Sequence, residues 1–401
     1  MNGRNERTLL GLNRNVFFAG LVSFFMDVSS EMIYPLVPLF LAGVLGVNKS
    51  LIGLIEGTAE SVASLLKVFS GWSSDRLGRR KYLMVIGYGV STLSRPIMGL
   101  ATAWQHVLGA RLVDRFGKGI RTAPRDAIIA ESTEASQLGR AFSFHRSMDT
   151  MGAVIGPLLA LLLLRFLRSD YRKVFWISIA PALAAVLVIF LFIRETSRPR
   201  PRTFPRPRMT LKNFDWKVKF FICIAAIFAL GNSSDVFLIL RAGQIGIRPA
   251  MIPAVYLLFN LVYSLSGVPF GMAADRFGRK RGILIGFVLF AFVYAGFARA
   301  QSVEAVWLLF AVYGLFMGLT EGIQKAFLAT IIPSDFRATA FGVYATVVGL
   351  AMFPASLIGG WLWDRFSPSA TFYFGAATAA SSALLFLGLI VATKKSPEIR
   401  V

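Results

Sequence analysis

Gly71–Lys81 reads GWSSDRLGRRK, and two hundred residues later Gly271–Arg281 reads GMAADRFGRKR. Each copy closes one long apolar run and opens the next. The shared pattern is a glycine, an Asp-Arg pair four residues on, then a second glycine followed by basic residues. Two such copies divide the chain into two related halves. Gly71 and Gly271 are expected to let a neighbouring helix approach closely. Asp75 and Asp275 are placed to meet a helix N-terminus or an arginine, and Gly78 and Gly278 to permit a tight turn.

Composition places the surrounding runs in lipid. Of 401 residues 55% are hydrophobic, 16% are charged and 36 are Phe, and the mean hydropathy is +0.62. So few charged residues cannot cover a soluble protein of this size. A bilayer core needs roughly 20 apolar residues per helix. Twelve such stretches can be placed, near 16–41, 51–74, 82–103, 105–130, 140–164, 174–193, 218–241, 251–274, 282–299, 304–330, 340–362 and 370–392. Between the sixth and seventh lies RETSRPRPRTFPRPRMTLKNFDWK at 194–217, whose Pro/Arg composition reads as a linker. The expected organisation is a six-helix half over 1–193, the basic linker 194–217, and a second half over 218–401.

The formal charge of +22 suits nucleic acid or a membrane surface equally. Its distribution decides for the membrane. With both termini cytoplasmic, the inner segments hold 24 Lys/Arg and the outer segments 8, the asymmetry of the positive-inside rule. No nucleic-acid partner is expected. The apolar run after MNGRNERTLLGLNRN is too long for a signal-peptide core and reads as a retained first span. Cys223 is the sole cysteine, and two histidines without a Cys/His cluster give no metal-ligand spacing. GKG at 117–119 lacks the following Ser or Thr of a Walker A loop. Neither cofactor nor metal is expected, and no nucleophile–base constellation suggests an enzyme.

The repeated element, Gly-x-x-x-Asp-Arg-x-Gly-Arg-(Arg/Lys), resembles the loop 2–3 signature of the major facilitator superfamily, here in both halves. With twelve spans and a basic central loop, the resemblance covers nearly the whole chain. It implies an all-α membrane protein of two pseudo-symmetric six-helix halves. It also implies a cytoplasmic gate at Gly71, Asp75, Arg76, Gly78 and Arg79, matched by Gly271, Asp275, Arg276, Gly278 and Arg279, which forms and breaks during transport. GAVIGP at 152–157 resembles the glycine-rich motif of drug:proton antiporters, although Leu-Leu-Ala follows Pro157. Close helix packing through small residues is the alternative there.

Charges also lie where lipid is expected. The fourth span carries Arg111, Arg115, Lys118, Arg121 and Arg125 beside Asp114 and Asp126. Their spacing keeps the basic residues on one helix face, a stripe of about 21 Å at 1.5 Å per residue. Facing lipid, each would cost roughly 2.5–3.5 kcal/mol near the bilayer centre. The stripe is therefore expected to face protein or water. By depth, Glu56 should lie level with Arg111, Glu60 with Arg115 and Lys67 with Asp126. Asp27 and Glu31 are one turn apart at mid-depth in the first span, and the fifth adds His145, Arg146 and Asp149. These charges form either a salt-bridge lattice or a cavity that binds solute and exchanges protons. The resemblance implies that the first and fourth helices line the cavity, which favours Asp27, Glu31, Arg111, Arg115 and Lys118.

The second half is barer: Asn232, Asp235 and Arg241, then Asn260, then Glu321, Gln324 and Lys325, with Tyr256, Tyr263, Tyr313 and Tyr344 able to line an apolar wall, although aromatics at helical spacing more often serve packing. One charged half and one apolar half suit a small amphipathic solute. The expectation is a monomeric secondary transporter of a bacterial inner membrane, working by alternating access, with proton-coupled export ahead of uptake or exchange of an organic anion. A non-transporting receptor or scaffold would have no water-accessible path, which intramembrane charges of both signs argue against.

Overall fold

The computed structural model describes residues 8–9, 11–77, 79–134, 137–196, 214–332 and 337–394; side chains at 8, 67–77, 275, 321, 325, 337–339 and 393–394 lie outside that description. A two-residue pairing of β1 (Thr8–Leu9) with β2 (Leu12–Asn13) leads into the helices. These are α1 (Arg14–Ile33), the three-residue α2 (Val37–Leu39), α3 (Lys49–Leu77), α4 (Arg80–Gly99), α5 (Trp104–Glu131), α6 (Leu138–Phe166), α7 (Tyr171–Ile177) and α8 (Ile179–Phe192). There follow α9 (Trp216–Gly231), α10 (Val236–Ile245), α11 (Ile252–Phe277), α12 (Arg279–Arg299), α13 (Val303–Thr330), α14 (Arg337–Arg365) and α15 (Pro368–Lys394). Among the described residues nine helical segments are long and apolar enough to cross a membrane. The more polar α3, α4 and α5 occupy the positions expected for the second to fourth spans.

Local chemistry sets the helix ends. Asn13 caps α1 by accepting from the Asn15 N–H, Asp170 caps α7 through the N–H groups of Arg172 and Lys173, and Ser302 caps α13 through Ala305. Two spans expected to be continuous are broken. The first gives way at Tyr34–Leu36 to a 3-10 turn and then to a π-helical turn at Phe40–Val44. Pro35 and Pro38 remove the N–H donors that an α-helix would need there. The seventh stops at Gly231 and resumes at Val236. Asn232, Ser233, Ser234 and Asp235 between them have side chains that compete for backbone hydrogen bonds. Both breaks fall in the first span of a repeat.

The chain packs as two compact units, residues 1–47, 58–203 and 248–257, and residues 48–57, 204–247 and 258–401. In the first, Val16, Ala19, Val22 and Met26 of α1 join Ala182, Ala185 and Ile189 of α8 and Tyr88 of α4 in a buried cluster. The second is built on rings: Phe290 stacks on Tyr294 at 3.9 Å, and Phe228 lies 4.7 Å from Phe287 and 4.9 Å from Phe290. In lipid, packing rather than exclusion of water holds helices together, which suits large flat side chains. Outward faces stay apolar, as at Leu183, Leu187 and Phe190 of α8.

The repeat itself is partly described. Gly278 has φ +101° and makes the tight turn between α11 and α12. Among the described residues no close helix approach is seen at Gly271, where a Cβ would meet no atom within 4 Å. Gly78, the surroundings of Gly71 and the side chains of Asp75, Arg76 and Asp275 lie outside the description.

Candidate functional site

Two helix faces with the same register build the site. Along α1 and into the 3-10 turn that follows it, Asp27, Ser30, Glu31 and Tyr34 come at i, i+3, i+4 and i+7; on α5, Arg111, Asp114, Arg115 and Lys118 do the same. With Ile33 and with Arg95 of α4 they line a small pocket of about 30 Å³ that is partly open to its surroundings. All ten residues belong to the first unit. Glycines set the spacing behind it. A Cβ at Gly152 of α6 would stand 2.7 Å from the Phe24 carbonyl oxygen and 2.8 Å from Asp27 Cβ. One at Gly156 would stand 2.7 Å from Glu31 Cβ. The GAVIGP segment thus packs directly behind the two carboxylates.

The charges divide into paired and unpaired. Arg95, only 1% exposed, holds Asp114 at 3.1 Å. It also donates to Ser29 at 3.0 Å, Ser30 at 2.8 Å and Ser94 at 2.7 Å, tying α1, α4 and α5 together. Arg115 pairs with Glu60 at 2.6 Å, as depth along the two helices anticipates. Arg111 lies over the Tyr34 ring at 5.5 Å and Arg121 over Tyr88 at 4.4 Å. Glu31 accepts from the Tyr256 hydroxyl, while its Oε2 is buried without a hydrogen-bond partner among the described residues. Asp27 and Lys118 face each other's field across the cavity. Among the described residues neither has an ion-pair partner within 4 Å.

A second cluster lies nearer the start of α1 and α6. His145 Nε2 is 2.7 Å from the Ser23 hydroxyl, and Nδ1 is 3.7 Å from Asp149 Oδ2. Arg125 donates to Ser23 at 3.2 Å and pairs with Asp126 at 2.9 Å. Arg146 is exposed on the adjacent face.

Other expected residues fall elsewhere. Glu56 is buried within the second unit. In that unit Asp235 accepts from the Tyr313 hydroxyl at 2.7 Å, and Asn232 ends α9 at the break. Arg241 donates to the carbonyls of Phe297 and Ala300 and so anchors a turn. Tyr344 bonds Gln324 instead of lining an open wall. The side chains of Glu321, Lys325 and Lys67 lie outside the described residues. At the gate, Arg79 and Arg276 are exposed, and Arg279 donates to the Ala326 carbonyl. The neighbouring basic residues find acids the sequence reading did not assign: Arg80 pairs with Glu131, and Glu195 accepts from the N–H groups of Arg80 and Lys81. A carboxylate there meets the positive end of α4.

Sequence reasoning missed Arg95 and the part of Tyr256. Arg95 had a signal, because it is a lone charge between Ser94 and Pro96 within the third apolar run. Tyr256 had none, since the start of α11 packs with the first unit.

The Major Facilitator Superfamily model matches residues 19–241 and 220–400. An uncharacterised MFS-type transporter of Methanocaldococcus jannaschii is 39% identical over 394 residues, 96% of each chain. A probable 4-methylmuconolactone transporter of Cupriavidus pinatubonensis is 26% identical over 331 residues, 78% of this chain and 75% of that one. The fold matches a variant of the nucleoside transporter NupG with TM-score 0.80 at 12% identity, covering 94% of this chain and 99% of that one.

Proposed function

The chain belongs to the major facilitator superfamily and is a multi-pass membrane protein of transporter type, and from that premise we propose that it is a proton-coupled exporter of a small amphipathic solute. It works by alternating access as a monomer in a bacterial inner membrane, both termini cytoplasmic, its two halves rocking about a mid-membrane site. One observation carries the reading. Around the cavity Arg95–Asp114 and Arg115–Glu60 are satisfied and act as walls. Asp27 and Lys118 are left over, a carboxyl able to exchange a proton and an ammonium able to hold a polar or anionic end. Glycines 152 and 156 pack α6 closely against the face that carries Asp27 and Glu31.

The test uses purified protein in proteoliposomes with an imposed pH gradient of either sign. The probes are naphthalenesulfonate, an amphipathic anion that carries no proton through lipid, and ethidium as an amphipathic cation. The expected result is naphthalenesulfonate accumulation against a proton gradient of one sign only. Accumulation of neither probe under either gradient would count against the reading.

A second reading, uptake or exchange of an organic anion, is favoured by the lining itself. Arg95, Arg111, Arg115 and Lys118 there outnumber Asp27, Glu31 and Asp114. A relative named as a methylmuconolactone transporter is consistent with it. Accumulation driven by the opposite gradient selects this reading.

Two further outcomes are expected. Asp75→Asn keeps the size of the side chain but removes the charge that the gate needs. The variant should insert normally, bind solute and lose most of its turnover; wild-type transport would remove Asp75 from the gate. For topology, Cys223 is first replaced and cysteines are placed singly as Arg202→Cys and Lys49→Cys. An impermeant thiol reagent added to intact cells should label the second and spare the first. Labelling of both would overturn the orientation.

A further inference from the structure

The cluster at the inner end of the first unit holds ionisable groups that the cavity does not use. His145 is buried on α6, between Ser23 of α1 at 2.7 Å and Asp149 of its own helix at 3.7 Å. The other carboxylate oxygen of Asp149, Oδ1, is buried and meets no hydrogen-bond partner among the described residues. Gly152, one turn further along α6, stands directly against Asp27. Asp149 and Asp27 therefore sit at neighbouring levels of two packed helices, close enough that each carboxylate feels the other's charge.

Read in order, Asp27, Asp149, His145 and Ser23 descend from the cavity toward the end of the unit where α1 begins. Asp27 to Ser23, and Asp149 to His145, are each one helical turn, about 6 Å of rise. At that end Asn15 bonds Ser132 and the backbone of Arg194, so the starts and ends of three helices meet beside the exposed Arg194 and Glu195.

We propose that Asp149 and His145 form a proton relay between Asp27 and the inner aqueous face. The proposal rests on the proton-coupled reading above. Protonated Asp27 gives its proton to Oδ1 of the Asp149 carboxylate, and rotation of that carboxyl about its Cβ–Cγ bond carries the same proton to the His145 side, where it passes to Nδ1 of the neutral imidazole. The imidazolium then loses its Nε2 proton to the Ser23 oxygen while the Ser23 hydroxyl proton passes to water. One proton enters and one leaves, and a ring flip restores the tautomer. A distance of 3.7 Å is closed by a small side-chain rotation or by one water.

The groups facing His145 fit this part. Arg125 of α5 donates to Ser23 and is itself balanced by Asp126, so it fixes the hydroxyl with a lone pair toward the ring. Arg146 and Asp149 are the remaining charges around the imidazole, both from α6. Around Asp27 the charges are Glu31, Lys118, Arg121 and Asp149. The relay thus has its proton donor on one side of the ring and a polarised hydroxyl on the other.

The test follows the proton itself and needs no solute. A pH jump is applied to the reconstituted full-length protein, and the carbonyl stretch of the protonated carboxyl is followed by infrared spectroscopy. The wild type should show a band that Asp27→Asn abolishes. In His145→Asn, which keeps a partner for Ser23, that band should reach the same end point at least about tenfold more slowly, the low end of proton-transfer effects. Ser23→Ala, which removes one hydroxyl, should slow it by a smaller factor and guards against a folding defect in the first variant. An Asp27-dependent band that rises at the wild-type rate in both variants overturns the relay and leaves the proton-coupled reading standing. Absence of any Asp27-dependent band in the wild type overturns both.

Discussion

Asp27→Asn is expected to reduce gradient-driven accumulation by about 100-fold or more, on the scale of losing a proton-transfer group, while solute binding survives. The substitution keeps the size of the side chain and fixes it in a form that resembles the protonated acid. Binding should also lose its dependence on pH, because the group that titrates with it is gone. The sequence allowed a rival role for Asp27 as a member of a salt-bridge lattice, with Arg115 of the basic stripe within its choice of partners. The structure gives Arg115 to Glu60 at 2.6 Å instead, so removing the Asp27 charge strands no guanidinium. A normal melting temperature should therefore accompany the loss of coupling. A well-folded variant that still accumulates solute would move the proton site to Glu31, Glu56 or Glu60.

Asp114→Ala is expected to act in the opposite way, through stability. Arg95 is buried, and Asp114 is the carboxylate that balances it at 3.1 Å. Removing one member of such a pair costs about 3–5 kcal/mol, because the other is left charged and uncompensated. The variant should melt much lower in detergent, and expression should fall with it. Arg95→Met alone should be destabilised for the same reason. Arg95→Met combined with Asp114→Leu should recover most of the loss, since an apolar pair of similar volume is often neutral or better. If both single variants melt with the wild type, the pair is not what joins α1, α4 and α5.

The eleven-residue repeat, the apolar runs and the charge asymmetry made the architecture legible. They report on lipid and on topology, which act along the whole chain. The pairing of Glu60 with Arg115 was legible for the same reason, because depth along two straight helices can be counted in residues. The breaks at Tyr34 and Asn232 were not placed. Membrane helices tolerate Pro and Ser when neighbours satisfy the freed backbone groups, so the same residues are compatible with a continuous span. Arg95 was visible as a charge but not as a partner, because its ligands are four side chains from three helices. Tyr256 depends on the start of α11 packing with the first unit, which no local pattern records. Gly271 shows the converse: a motif glycine suggested close packing, yet the described structure leaves space beside it.

The most direct test of proton-coupled transport through this cavity records two fluxes at once. Proteoliposomes are prepared with a naphthalenesulfonate gradient, no pH gradient and a pH-sensitive dye in the lumen. The account predicts that solute moving down its gradient drives protons the opposite way, changing lumenal pH, and that Asp27→Asn abolishes the pH change. Solute flux through the wild-type protein with lumenal pH unchanged would contradict it.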